Sequence, residues 1–445
     1  MSPVEPAIQL SQRSRGQGLG NRLSYSLLSL VVIVDQLLLP MFRVGPVPFK
    51  VSYLILVFWL IYLLVPSNNV VSKYNDIRKT FLAFAIILGC ILLGELWLTA
   101  NYNVESYSDT VKNVLTLILA ALAFGLGRSS TRFRWEWLLY TLFAAISLNF
   151  LFIIFRNNLP SWLISFYYPE HAVSDVIGFQ SVADIISLVR PRGLFGNPNA
   201  SMLMVNLNLL FVYLAIKNKF LEIRSGTTAL TLIILPVFLA VFLSSRGEFL
   251  VSILLGFLNY NALVSRFSSS LRKLFPLSLI LLVAMSAFFL GNLGEDSEFT
   301  ANVNRIYKLS QILDTDQTSY DDDGASNFQR PLIALTTFLG RFPLSPLFGT
   351  GISVADSDYL SEGTQYFHND WMYVLTISGL LGFFGLIWLL RIFVSRIGWS
   401  ILIPFVIPGL VNTFMLNIPA FISYFLLTGI LLASVQQRTA SVVLH

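Results

Sequence analysis

Three short clusters combine residue types that can do chemistry. The first, Arg190-Pro191-Arg192-Gly193-Leu194-Phe195-Gly196-Asn197-Pro198-Asn199, runs straight into a long apolar segment. Guanidinium forks match phosphate oxygens, glycines admit close backbone approach, and the free N–H groups of a helix start face an anion. The same residues also suit a plain loop in which Asn199 caps the helix and the arginines anchor among lipid headgroups. The second, Ser244-Ser245-Arg246-Gly247-Glu248, is a very short turn between two apolar runs. A charge near the membrane centre costs about 2.5–3.5 kcal/mol on insertion scales, so Arg246 needs a partner: either Glu248 or the phosphate of a lipid-linked ligand. The third is His368-Asn369-Asp370-Trp371, ahead of another apolar run. A helix N-terminus disfavours imidazolium and so suits His368 to accept a proton near neutral pH. The alternative is that Asn369 or Asp370 caps the helix and His368 is incidental.

The elements that position these clusters are apolar. The pattern predicts helices at about 23–42, 51–66, 80–99, 111–127, 137–155, 199–216, 227–243, 248–263, 274–291, 371–394, 399–413 and 418–435, about 12 spans in all. Pro404, Pro408 and Pro419 interrupt the last third, which widens the expectation to 11 to 13 spans. Gly379, Gly382 and Gly385 recur at every third position and permit close helix approach. The polar start of the chain, with Arg13, Arg15 and Arg22 before the first apolar run, reads as an uncleaved signal anchor.

Composition agrees. Of 445 residues, 55% are hydrophobic and only 12% charged, against about 25% charged in soluble domains, so a soluble enzyme, a secreted domain and a disordered chain are excluded. The single cysteine, Cys90, excludes a disulfide framework. Basic residues gather in short loops such as Arg128, Arg132 and Arg134, or Lys217, Lys219 and Arg224. The positive-inside rule places those loops and both termini in the cytoplasm, so the net charge of +5 reports orientation and not a nucleic-acid partner. Two long loops, 156–198 and 292–370, then fall on the outer face of a single transmembrane domain spanning 1–445. Loops of that length are usually functional or disordered. Asp314-Thr315-Asp316, Asp321-Asp322-Asp323 and Asp356-Ser357-Asp358 have spacings that could hold a divalent metal. They lie outside, away from cytoplasmic nucleotide sugars, and read as a solvated acidic surface. Asp35 and Glu95, within spans, are functional candidates by default.

In their order and on these elements, the clusters resemble the O-antigen ligase and Wzy polysaccharide polymerase superfamily. The residues that carry the resemblance are the Arg-x-x-Gly-x-Phe-x-Asn-Pro-Asn signature at 190–199, the Ser-Arg-Gly turn at 245–247, and His368-Asn369 followed by Gly379 and Gly382. The resemblance covers nearly the whole chain. It implies an all-α, polytopic, GT-C-like fold in a bacterial inner membrane, with a large outer loop before the histidine. It also implies metal-independent, cofactor-free, inverting transfer of a glycan from undecaprenyl diphosphate at the outer face. The acceptor is another lipid-linked repeat in a polymerase and lipid A core in a ligase, and polymerase is the preferred reading. A chain-length regulator is an expected partner. His368 is then the base, and Arg190 and Arg246 stabilise the leaving diphosphate. Arg192, Asn197, Asn199, Asn369, Arg305, Arg330 and Arg341 are expected to contact substrate. A flippase is the competing class; it would carry charges along a cavity through many spans, whereas here they collect at one face.

Overall fold

A helix of about 20 residues crosses the ~30 Å hydrocarbon core of a bilayer while pairing its own N–H and C=O groups, and long apolar runs dominate this chain. The computed structural model describes residues 24–40, 42–44, 47–64, 75–155, 160–167, 193–195, 198–243, 246–264, 335, 338–355, 369–407, 414–415 and 417–443. Its helices are α1 (Ser24–Leu38), α2 (Val51–Leu64), α3 (Asn75–Asn101), α4 (Ser108–Ser129), α5 (Trp135–Ile154), α6 (Ser161–Tyr167), α7 (Pro198–Lys217), α8 (Gly226–Phe242), α9 (Arg246–Leu263), α10 (Asp370–Ile397) and α11 (Ile418–Val443). Two small antiparallel ribbons accompany them: β1 (Phe42–Val44) pairs with β2 (Val47–Phe49), and β3 (Val104–Ser106) with the distant β4 (Val354–Ala355). Among the described residues six helices are long and apolar enough to cross a membrane, and α1, α2, α8 and α9 are shorter apolar helices. The protein is a helical membrane protein. The helix expected at 274–291 lies outside the described residues.

One expected helix takes a different form. Within 399–413 the described chain makes a 3-10 turn at Trp399–Leu402 and one helical turn at Ile403–Val406. Gly398, at φ 103°, ends α10, and Pro404 supplies no N–H to continue a ladder. The irregular chain is partly covered by protein: Ile401, Pro404 and Phe405 are buried while Trp399 and Val406 are exposed. The Tyr424 hydroxyl donates to the Ile401 carbonyl and the Trp371 indole to the Phe405 carbonyl, each at 3.1 Å. Non-helical backbone at membrane depth is tolerated under such cover.

Helices α7 and α11 form the centre, with 89% and 94% of their spans buried. A helix that is apolar all round belongs there. Helix α11 packs against α4 backbone to backbone: a Cβ at Gly127 would lie 2.1 Å from the Leu426 carbonyl oxygen, and one at Gly429 would lie 2.4 Å from that of Phe124. Small residues allow the van der Waals contact that drives association in lipid. Helices α1 and α2 are joined by a polar clasp. The buried Lys50 ammonium donates to the carbonyls of Asp35 (2.6 Å), Gln36 (3.2 Å) and Leu39 (2.6 Å), closing the end of α1. The Asp35 carboxylate accepts from the Ser52 N–H (2.9 Å) at the start of α2. Asp35, a functional candidate by default, thus serves the hairpin.

Basic residues collect at one end of the bundle. The Arg128 guanidinium bonds Gln436, the Trp135 indole reaches Ser434, and Arg438 donates to the Asn218 carbonyl at 2.6 Å. The ends of α4, α7 and α11 and the start of α5 therefore meet there. Helices α7 and α11 begin at the opposite end, hereafter the far end. So do α9, whose last residue shares a cavity with Lys217, and α10, whose first residue bonds the chain leading into α11.

Candidate functional site

Each sequence cluster stands where a helix starts, and each start is held by a buried amide or carboxylate. In the first cluster Gly193–Phe195 forms a 3-10 turn. Gly193 has φ 65°, and a Cβ there would come 2.4 Å from Asn149 Oδ1 and 2.8 Å from Ser201 Oγ, so the signature glycine is required twice over. The Leu194 N–H donates to Asn149 Oδ1 at 3.0 Å, while the Asn149 amide donates to the Ala145 carbonyl at 2.8 Å. Asn149, wholly buried on α5, thereby ties the cluster to the bundle. Pro198 opens α7, where its missing N–H is harmless, and Asn199 is half-buried. Arg190, Arg192 and Asn197 lie outside the described residues.

The second cluster begins α9, whose first residue is Arg246; its side chain lies outside the described set. Glu248 is buried and is held by an amide clasp. Asn206 of α7 donates to the Glu248 carboxylate (2.8 Å) and to the Glu248 carbonyl (2.9 Å). Ser252 donates to Asn206 Oδ1 at 2.8 Å. An amide that reads both the side chain and the backbone of one residue fixes the first turn of α9 against α7. The first two clusters therefore share a framework: α7 emerges from one and anchors the other.

In the third cluster Asn369 caps α10, its side-chain oxygen accepting from the N–H groups of Trp371 and Met372, both at 3.0 Å. This is the capping alternative raised for that residue. Asp370, buried, accepts from the N–H groups of Phe414 (3.0 Å) and Met415 (3.1 Å), so the start of α10 is bound to the chain entering α11. His368 precedes these two anchors and lies outside the described residues, as do Arg305 and Arg330. The Arg341 side chain is buried at 1% exposure, at the start of the 3-10 turn Phe342–Leu344.

Helix α10 is interrupted where the glycines recur. Gly379 adopts φ 61° and ψ −167°. The N–H groups of Leu380 and Leu381 bond the carbonyls of Pro346 (2.8 Å) and Leu347 (3.1 Å), and the Thr376 carbonyl accepts from the Thr350 N–H at 2.9 Å. The end of the large loop is thus built into the broken helix, and its polar groups replace the missing helical bonds. Four glycines make the fit: a Cβ at Gly94 would lie 2.6 Å from the Gly351 nitrogen, one at Gly379 2.5 Å from the Gly349 nitrogen, one at Gly349 2.4 Å from the Ile377 carbonyl carbon and one at Gly351 2.7 Å from Glu95 Oε1. Gly385 lets α3 approach through Ile86, Ile87 and Ala83, whereas Gly382 makes room for the Ser378 side chain of its own helix beside the break, with Cys90 of α3 in ordinary contact. Glu95 of α3 locks the loop from the other side. Its Oε1 accepts from the N–H groups of Ile352 and of Ser353 (3.0 Å) and from the Thr110 hydroxyl (2.7 Å).

Sequence reasoning misses Asn149, Asn206 and the Gly349-Thr350-Gly351 docking. The legible signal for the two amides is an intramembrane polar residue, which is costly unless it has a task; the loop glycines offer none without their distant partners. Among the described residues no group of three acidic, histidine or cysteine side chains could hold a metal, and the acidic loop pairs lie outside those residues. The chain matches no protein-family model and no curated protein sequence.

Proposed function

We propose that the protein is a polysaccharide polymerase that transfers a growing glycan from undecaprenyl diphosphate to a lipid-linked repeat unit at the outer face of a bacterial inner membrane. The observation that supports this reading is the gathering of the starts of α7, α9 and α10 at the far end, each carrying one cluster. Helix N-termini bear partial positive charge, and three of them directed to one face suit a diphosphate. The acceptor hydroxyl oxygen bonds to the anomeric carbon as that carbon's bond to the diphosphate oxygen breaks, and configuration inverts. The hydroxyl proton passes to His368. Charge grows on the departing diphosphate, so preorganised cations contribute more than a general acid; Arg190 and Arg246 fill that role, with Arg192 beside them. The clasps of Asn149 and Asn206 set where those arginines start from.

Deleting the gene and sizing the surface glycan tests the reading. Single repeats on a lipid core support it. Free lipid-linked polymer with a bare core instead assigns a ligase, and single lipid-linked repeats held at the cytoplasmic side assign a flippase. At the site, His368→Ala and Arg246→Ala abolish chain extension with expression intact; near-normal glycan in both variants refutes the assignment.

A further inference from the structure

At the basic end, away from the clusters, a cavity of about 550 Å³ opens where α7 and α9 finish and the connector 218–225 begins. Ligand sites commonly span about 300–1,000 Å³. Lys217, Lys219 and Tyr213 line it together with Asn261 and the apolar Leu258 and Leu263. The Lys217 ammonium stands 5.8 Å over the Tyr213 ring, a contact that restrains it. Lys219 has φ 58° and is the one non-glycine residue with positive φ among those described, a conformation costing about 1–2 kcal/mol. Glu222, the third charged group of the lining, is paired with Arg224 at 3.6 Å and so does not cancel the lysines. Neither lysine has a carboxylate partner among the described residues.

We infer that this cavity seats the headgroup of an anionic phospholipid, its phosphate between Lys217 and Lys219 and its glycerol and first methylenes against Leu258 and Leu263. A free phosphate would use the cations but not the apolar wall. A zwitterionic lipid would use the wall but leave two ammonium groups uncompensated. Basic pockets between helices at headgroup depth on the basic side suit anionic lipids. The inference is independent of the transferase reading, since the cavity lies at the other end of the bundle.

Native mass spectrometry of the full chain, released from detergent after incubation with phosphatidylglycerol or phosphatidylcholine, tests it. Both lysine side chains are exposed, so Lys217→Gln/Lys219→Gln folds normally. The wild type retains phosphatidylglycerol over phosphatidylcholine, and the double variant retains it roughly 25-fold more weakly, from about a fivefold weight for each lysine. Arg391→Gln/Arg396→Gln, which removes two exposed charges at the end of α10, retains it as the wild type does. The inference fails if the lysine variant holds the lipid unchanged, or if the arginine variant loses it equally, which would mean charge of the whole face. It also fails if phosphatidylcholine binds as well, or if inorganic phosphate raises the unfolding temperature as much as phosphatidylglycerol, which would assign a free-phosphate site.

Discussion

Substituting Gly349 by alanine probes the junction between the large loop and the broken helix. Gly349 has φ 81°, and its new Cβ would lie 2.4 Å from the Ile377 carbonyl carbon and 2.5 Å from the Ile377 oxygen and the Ser378 nitrogen. All three are backbone atoms of α10 just before its break, so no side chain can rotate away. The left-handed conformation contributes about 1–2 kcal/mol against alanine, and overpacking a fixed wall typically about 1–3 kcal/mol. A central value of about 3 kcal/mol shifts the balance between docked and detached loop by about 100-fold, at roughly 1.4 kcal/mol per tenfold. Ile352, fully buried in the same loop, offers a reporter: Ile352→Cys in a Cys90→Ala background carries the protein's one thiol. Adding Gly349→Ala should raise its labelling rate by a factor of that order and lower the unfolding temperature. Gly340→Ala is the matched control, since a Cβ there meets nothing within 4 Å and its φ is not positive; it should leave both readings unchanged. Equal labelling in the Gly349 variant and its parent would refute the docking argument.

Two further outcomes follow from the polar clasps. Glu95→Ala leaves two buried N–H groups without their acceptor, while the Thr110 hydroxyl keeps Ser353 Oγ at 2.8 Å, and should destabilise by about 2–6 kcal/mol at about 1–3 kcal/mol per orphaned donor, whereas Glu95→Gln keeps an acceptor oxygen and should lose much less; equal unfolding temperatures for the two variants would exclude the carboxylate as the lock. Burial draws the Lys50 ammonium from 10.5 down to about 7, against the opposing pull of Asp35. Because the folded value is the lower one, the unfolded chain holds the extra proton between about pH 7 and 10.5, and stability rises with pH across that window. The wild type should therefore gain on Lys50→Met as pH rises from 7 to 10, and a difference that stays flat would contradict the burial.

What could be read from the sequence depended on how local the signal was. Helices α3, α4, α5, α7, α8 and α9 fall within a few residues of their expected positions because a long apolar run needs no partner to declare itself. The 399–413 segment did not, since its backbone is satisfied by Trp371 and Tyr424, one from each flanking helix. Gly193 was legible within a signature, but its reason, the Asn149 side chain, lies on another helix. Glu248 drew notice only as a neighbour of Arg246, whereas the amide that holds it, Asn206, lies on α7 and is remote in the chain. Of the three recurring glycines Gly385 is a site of close helix approach; Gly382 accommodates Ser378 of its own helix, and Gly379 breaks the helix, because its neighbours at 345–351 are remote in the chain.

The docking of residues 345–355 has a consequence for how the chain on either side of it can vary. Ribbon pairing to β3 holds the chain at Ala355, and the cap at Asn369 holds it again, so the stretch 356–368 that ends on the histidine is a closed span with both feet fixed. Its length is decoupled from that of 292–337 on the other side of the anchor. Adding residues to a closed loop raises its closure entropy only logarithmically, and here insertions upstream of the anchor do not lengthen the histidine's tether at all. Residues added before 345 therefore leave unchanged the number that tether His368 between Ala355 and Asn369.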